Sequence, residues 1–376
     1  MVYQKLSNPQ SNGYSERLAN NAFPSSTIWK FGEFVHYLVT GHTGFKGSWL
    51  VMLLSTMGHK VSGIALEPDR ESLFNQASIS NLLEFDYRID IRDFVAFNEA
   101  VSQIKPDVLI HLAAQPLVRY SYKHPIETYE TNVMGTLNIL ESTKSLVDLR
   151  ATLIITTDKV YRNASKESGY VEGDPLGGDD PYSASKAAAD IATQSWVTSF
   201  GKSPVAVARA GNVIGGGDWA EDRLIPDIFR SYRASKSPVL RNPESIRPWQ
   251  HVLDCLNGYL ILIDSMIENS TTGEWNFGPN HLEKHSVSDV IEKFAFFSQV
   301  SSTAWLLDEG KNPKESDFLL LDSSKARKQL GWQDFLSFES AVQWTAFWYQ
   351  NFDSTGAREL SLSQIKAFLA LKSSAD

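Results

Sequence analysis

Eight consecutive residues restrict this chain more than any others. Thr40-Gly41-His42-Thr43-Gly44-Phe45-Lys46-Gly47 carries glycines at a spacing of three and three. A β-branched and aromatic run, residues 35–40, precedes it, and an apolar-periodic run, residues 47–57, follows and stops at Gly58. A glycine-rich turn that leaves a strand and opens a helix is the context in which a dinucleotide fingerprint carries weight. Gly41 permits the tight turn, Gly44 lets the backbone approach a diphosphate, and Gly47 allows helix and sheet to pack closely. The free amides at the helix start, with the helix dipole, favour the anion. The turn, with Gly41, Thr43, Gly44, Phe45, Lys46 and Gly47, is therefore the expected cofactor cradle.

The rest of the N-terminal half agrees. Strand-like runs are expected at residues 61–66, 87–91, 107–112, 151–157 and 204–210, and helical patterns at 94–104, 126–145 and 184–200. Alternation of this kind gives right-handed βαβ units and a parallel sheet, and nearly all-apolar strands suit a sheet covered on both faces. The expected fold class is α/β, a Rossmann-type doubly wound parallel sheet with a smaller mixed α/β substrate domain. Residues 1–27 read as a polar extension, 28–210 as the cofactor domain, and 211–352 as mainly a smaller, mixed substrate domain with some segments returning to the sheet. Residues 353–376 read as a C-terminal tail.

Composition narrows the function. The 376 residues carry a net charge of −9, which argues against nucleic-acid or anionic-membrane binding. The apolar runs are too short to span a bilayer. A single cysteine, Cys255, excludes an intrachain disulfide and a cysteine metal cluster and fits a reducing, cytoplasmic setting. No metal site is expected.

The strand ends supply further cofactor candidates. Glu67, just after the second strand, has the type and position to hold a ribose 2′-hydroxyl, which favours NAD over NADP. Its neighbour Asp69 is equally placed, and Arg70 could favour a 2′-phosphate. Asp90 and Ile91 end the third strand, where adenine is expected. Leu112, Ala113 and Ala114 end the fourth, where small residues let a cofactor lie close.

Tyr182-Ser183-Ala184-Ser185-Lys186 opens a helix. Tyr182 and Lys186, four apart, share one face. An ammonium near a phenol lowers its pKa, and the phenolate can then take a proton from a substrate hydroxyl while hydride leaves the same carbon. Alone, this pair would be an ordinary amphipathic helix; with the upstream turn it reads as catalytic.

From about residue 29 to 352 the sequence resembles the extended short-chain dehydrogenase/reductases, whose core motifs stand at Thr40–Gly47 and at Tyr182 to Lys186. Residues 41–50, 157–161, 209–223 and 247–252 resemble, more narrowly, the sugar-nucleotide dehydratases of that family. The resemblance implies NAD and a nucleoside-diphosphate hexose, CDP-glucose or a relative. It implies that Thr157 hydrogen-bonds the C4′ oxygen, that Asp158 is the acid of an elimination, and that Lys159 stands where the base stands. Asn132 matches a position near the active site. Gln115, Arg119, Asn212, Asp218, Trp219, Arg223, Leu224, Ile225, Arg241 and Arg247 are the implied sugar and diphosphate contacts, arginine forks being suited to phosphate. Related enzymes pair their long helices into a bundle, which implies a homodimer or homotetramer. Two other readings stay open: a nucleotide-sugar 4-epimerase, which does not need Asp158 or Lys159, and a redox-sensing scaffold, which needs only the glycine turn. Tyr120 stands where the family often has an arginine.

Overall fold

In the computed structural model, residues 34–280, 282–300, 304–310 and 317–374 are described. The expected N-terminal extension lies outside them. The glycine turn follows β1 (His36–Thr40) and opens α1 (Phe45–Thr56). Then come β2 (Lys60–Ala65), β3 (Asp86–Arg88), α2 (Phe94–Ile104) and β4 (Val108–His111). The expected helix over 126–145 is a composite. Helical turns from Pro125 to Tyr129 pass through a wide π turn, Glu130–Met134, into α3 (Gly135–Thr143). β5 (Ala151–Ile155), α4 (Pro181–Phe200) and β6 (Val205–Ala210) complete the region read as the cofactor domain.

Among the described residues, seven strands form one sheet, wholly parallel, in the order β7-β6-β5-β4-β1-β2-β3, with β7 at Gly273–Phe277. β7 pairs in parallel with β6, far from it in sequence. The interior strands are largely apolar because both faces are covered, and the buried Arg209 of β6 is paired with Asp190. On one face Trp49 of α1 packs with the helices that follow β6: α5 (Leu224–Arg233), α6 (Val252–Asn269), α7 (Val287–Phe297), α8 (Phe338–Thr355) and α9 (Ala357–Ser373). On the other face α2 and α3 cover Leu38, Ile64 and Leu109, and Trp196 of α4 covers Ile154 and Val207. The segment read as a tail is thus largely α9, whose Ile365 and Phe368 are buried in the main core.

Two features position the site. The strand order reverses between β1 and β4, which opens a crevice at their C-terminal ends. Beyond β6 the chain forms two-residue strand pairs. Val213–Ile214 pairs with Gln250–His251, Ile246–Arg247 with His285–Ser286, and Val239–Leu240 with Leu306–Leu307. They frame a cavity over the ends of β4, β5 and β6.

Candidate active site

The glycine turn is built as its spacing requires. Gly41 has a φ of +73°, and a Cβ there would lie 2.7 Å from the Ala113 nitrogen, so β1 and the end of β4 can abut only with glycine at this position. A Cβ on Gly47 would lie 2.3 Å from the Gly41 oxygen. Leu112 N and Ala113 N donate to Thr40 O (3.1 Å) and Oγ1 (3.3 Å), and Thr43 Oγ1 donates to Leu66 O at the end of β2 (3.2 Å). α1 starts from Gly44 with no side-chain cap, so its first amides are left to an outside acceptor. That open helix start, with Ala113 and Ala114 at the neighbouring strand end, fits a dinucleotide diphosphate.

The other cofactor candidates divide. Glu67 is exposed, 3.5 Å from Arg88. Asp90 is held by Arg92, which keeps its carboxyl below the usual range. Ile91 is buried beneath Gly135. The Phe45 ring packs by Gly215. The Lys46 ammonium reaches across to the Tyr259 hydroxyl of α6 (3.4 Å), and burial depresses its pKa. Asn132, in the π turn, uses its whole amide on protein: Nδ2 donates to Gln115 O (3.1 Å) and Ser185 Oγ (2.8 Å), and Oδ1 accepts from Gln115 N (2.8 Å). It fastens the loop after β4 to the helix bearing Tyr182 and Lys186. His111 is a structural histidine. Burial drives it down to about 3, and its ring meets Thr40 (2.7 Å) and Thr136 (3.1 Å).

A cavity of about 440 Å³ brings Thr157, Asp158, Lys159 and Tyr182 together with Arg119, Arg223, Arg241 and Arg247. The acid is placed by a short 3₁₀ turn, Asp158–Val160, that follows β5. Asp158 is fully buried, and its Oδ1 accepts from Thr157 Oγ1 at 2.8 Å. Its Oδ2 has no partner, and a Cβ at Gly211 would collide with it. Burial pushes this carboxyl above the usual range, against the pull of the Lys159 and Arg247 charges and the Thr157 hydrogen bond. A raised carboxyl with an unspent oxygen in a cavity is what an acid catalyst needs.

Tyr182 departs from expectation. Burial pushes its phenol up to about 12, and the opposing pull comes from a hydrogen bond with Thr157 and from Arg223, not from Lys186. The Lys186 ammonium instead donates to Ile155 O (2.7 Å), and burial with the Lys46 charge lowers it to about 7.

Around the cavity, Asn212, Asp218, Leu224 and Ile225 contribute to the wall. α5 starts there with Arg223 at its N-cap and no side-chain cap. Arg247 is buried, Arg119 pairs with Asp222 (3.1 Å), and Arg241 donates to Asp222 O (3.5 Å). Two expected substrate contacts are turned elsewhere. Trp219 donates to Gln76 Oε1 (2.8 Å) and sits among Phe229, Trp348, Tyr349 and Phe352, outside the cavity wall. Gln115 spends its amide on the Leu117 backbone beside it and on the Thr128 hydroxyl in the helical turns from Pro125 to Tyr129. Both are drawn away by better partners, a large apolar surface for the indole and local backbone for the amide. Sequence reasoning missed Gly211 and Asp222. Gly211 follows β6, the strand that neighbours the β5 end bearing Asp158, which a parallel register alone suggests.

The family model described as GDP-mannose 4,6 dehydratase matches residues 38–345. The chain belongs to this family. Among curated members, the CDP-glucose 4,6-dehydratase of Salmonella typhimurium strain LT2 is 44% identical over 330 residues, covering 84% of this chain and 91% of its own. The dTDP-glucose 4,6-dehydratase of Haemophilus influenzae is 28% identical over 334 residues, covering 84% of this chain and 98% of its own. A dTDP-glucose 4,6-dehydratase from Bacillus anthracis, solved in complex with NAD, superposes with a TM-score of 0.72 at 24% identity, covering 84% of this chain and 97% of that one. A UDP-glucose 4-epimerase from Stenotrophomonas maltophila with bound NAD gives 0.74 at 19%, covering 85% and 99%. These two structures show the shared fold. Enzymes with different reactions share it, so the chemistry must be read from the cavity.

Proposed function

We propose that this chain is an NAD-dependent 4,6-dehydratase of a nucleoside-diphosphate hexose, with CDP-glucose as substrate and its 4-keto-6-deoxy derivative plus water as products. Residues up to 210 hold the dinucleotide, and residues 211–352 hold most of the nucleotide sugar. The observation that carries this reading is the buried Asp158 carboxyl beside Thr157, Lys159 and Tyr182, in one cavity with arginines suited to a diphosphate. An epimerase has no use for an acid and a base at this strand end.

The glycine turn, residues 41–47, would hold NAD, which would supply the hydride acceptor for C4′ and the hydride donor for C6′. Tyr182 is assigned the proton of the C4′ hydroxyl, which it can take only as the phenolate, the form that burial disfavours in the fold as it stands, and Thr157 holds that oxygen. The resulting ketone acidifies C5′–H. Lys159, as the neutral amine, removes that proton, and Asp158, whose carboxyl burial raises, gives a proton to the departing C6′ hydroxyl. Lys186 anchors the start of its helix to β5 through Ile155 O. Arg223, Arg241 and Arg247, with the open start of α5, suit the diphosphate.

Incubation with CDP-glucose deuterated at C4′ tests the reading. The expected product absorbs in alkali and carries the label at C6′. A product that keeps its C6′ hydroxyl identifies an epimerase instead, and label lost to solvent breaks the scheme.

We further propose a homodimer built on the helices that end in α3 and α4. Ile126, Tyr129, Met134 and Ile191 are exposed apolar side chains on them. A monomer mass by light scattering at micromolar concentration contradicts it. No helix among the described residues is long and apolar enough to cross a membrane. The single, buried Cys255 suits a reducing, cytoplasmic setting.

A further inference from the structure

Of the four arginines that line the cavity, three converge on Asp222. Arg119 Nη1 donates to its Oδ1 (3.1 Å), Arg241 Nη2 donates to its main-chain O (3.5 Å), and Arg223 follows it in the chain. Asp222 has a φ of +60°, in the left-handed region that aspartate enters more readily than most residues. In that conformation its carboxylate and its carbonyl serve two arginines at once. A second acid stands beside Arg119, with Asp308 Oδ2 4.0 Å from Nη2. Among the described residues that line the cavity, five are basic and five acidic. A cavity so nearly balanced does not select a diphosphate by charge alone.

The backbones on both sides of the pair are anchored. Ahead of Asp222, the Trp219 indole donates to Gln76 Oε1 (2.8 Å), and Tyr349 of α8 donates its hydroxyl to Asp218 O. Arg230 of α5 donates to Trp219 O (3.1 Å) and Ala220 O (3.2 Å). Arg119 rides on the short helix Val118–Lys123, whose Ser121 Oγ accepts from Tyr182 N at the start of α4 (3.1 Å). What is left to move is the side chains. Those of Arg119 and Asp222 are 36% and 38% exposed, so an incoming anion reaches both. A pair this exposed is weak. The guanidinium fork matches phosphate as well as it matches carboxylate.

We propose that Asp222 is a specificity-determining residue: its carboxylate is the resident counter-ion of Arg119, and the diphosphate of the substrate replaces it there. A ligand with no anion to exchange then gains nothing from Arg119. This rests on the reading of the cavity as a diphosphate site. Asp222 keeps the arginines from repelling one another while the site is empty, and it gives up Arg119 by rotating its side chain.

The test is calorimetric titration of the full chain, saturated with NAD, with CDP and with cytidine. Asp222→Asn removes the charge and keeps a residue at ease at a positive φ. It should tighten CDP by about two- to fivefold, the worth of an exposed ion pair, and leave cytidine unchanged. Asp222→Gly, also at ease there, should do the same and serves if the first variant does not fold. The gain should shrink when Arg119 is replaced as well, in Arg119→Met. A gain as large or larger in that background shows plain repulsion by Asp222 and overturns the exchange. Weaker CDP binding in Asp222→Asn makes Asp222 a direct substrate contact and also overturns it, as does an unchanged affinity. Wild-type protein that does not bind CDP overturns the diphosphate reading itself, and the inference with it.

Discussion

The turn that opens α1 and the cavity wall beyond β6 are built on opposite principles. The turn is eight consecutive residues whose geometry follows from the backbone: a left-handed φ at Gly41 and no room for a Cβ at Gly47. Tyr182 and Lys186 are likewise one helical turn apart. The cavity wall draws Arg119 from a short helix after β4 (Val118–Lys123), Arg223 from a helix N-cap, Arg247 from a two-residue strand, and Arg241 from the residue just past another. A local motif is rigid and fails as a unit. A wall collected from distant segments fails by degrees, because each segment is braced by different neighbours.

Substitutions can break or sharpen that contrast. The largest effect is expected from Gly47→Val, whose added carbons cannot coexist with the Gly41 carbonyl. Dinucleotide binding should vanish in a fluorescence titration, and retained affinity would show the turn to be less rigid than described. Next come Tyr182→Phe and Lys159→Ala, each expected to cut turnover by about 10²–10⁴-fold, the usual worth of proton transfer. They should differ in kind. The tyrosine variant should move no label out of C4′. The lysine variant should still oxidise C4′ yet fail to exchange C5′ hydrogen with deuterated water. Near-normal turnover in Lys159→Ala would make that lysine structural and leave another group, such as a water held by Asp158, to take the proton.

In the cavity wall the effects should be graded. Arg247→Ala, which removes a buried fork, should raise KM by about ten- to a hundredfold. Arg119→Ala, whose half-exposed pair with Asp222 is worth about 0–1 kcal/mol, should change KM only a few-fold. Equal effects would erase the distinction between the buried and the rim arginine.

Lys186 gives a pH-dependent test of the rigid half. Its pKa falls to about 7 in the fold from an ordinary value of 10.5, so the folded state disfavours its charge. The penalty is fully present below about pH 7 and fades as pH rises toward 10.5, because over that window only the unfolded chain holds the proton. Lys186→Met should therefore abolish activity yet raise the melting temperature of the unliganded protein at pH 6, with little change near pH 10. An equal shift at both pH values would mean that packing, not charge, sets the effect. The smallest change is expected from Trp219→Phe, which should lose about 1 kcal/mol of stability from its aromatic cluster and leave KM unaltered. A raised KM would return Trp219 to the substrate.

Much of this was legible in the sequence wherever neighbours in the chain are also neighbours in space. The sheet strands up to β6, the glycine turn and the Tyr182/Lys186 face follow from period and spacing, whereas Thr157-Asp158-Lys159 is singled out by its resemblance to the sugar-nucleotide dehydratases. The third strand ends at Arg88, sooner than its apolar pattern suggests, because Asp90 turns the chain to cap Arg92 N. The long helix after β4 is interrupted at Asn132 by a π turn that no residue preference signals, since its cause is a set of hydrogen bonds to Gln115 and Ser185.

The sequence by itself determined the parallel sheet and the dinucleotide turn, because these depend on backbone geometry and on residues a few positions apart. Tertiary structure alone decided that β7 pairs with β6, that Asp158 keeps an unpartnered oxygen against Gly211, that Tyr182 is raised and not lowered, and that Trp219 leaves the cavity. Each of these depends on burial or on a partner distant in the chain. Desolvation and long-range contact are properties of the assembled interior, and no local pattern encodes them.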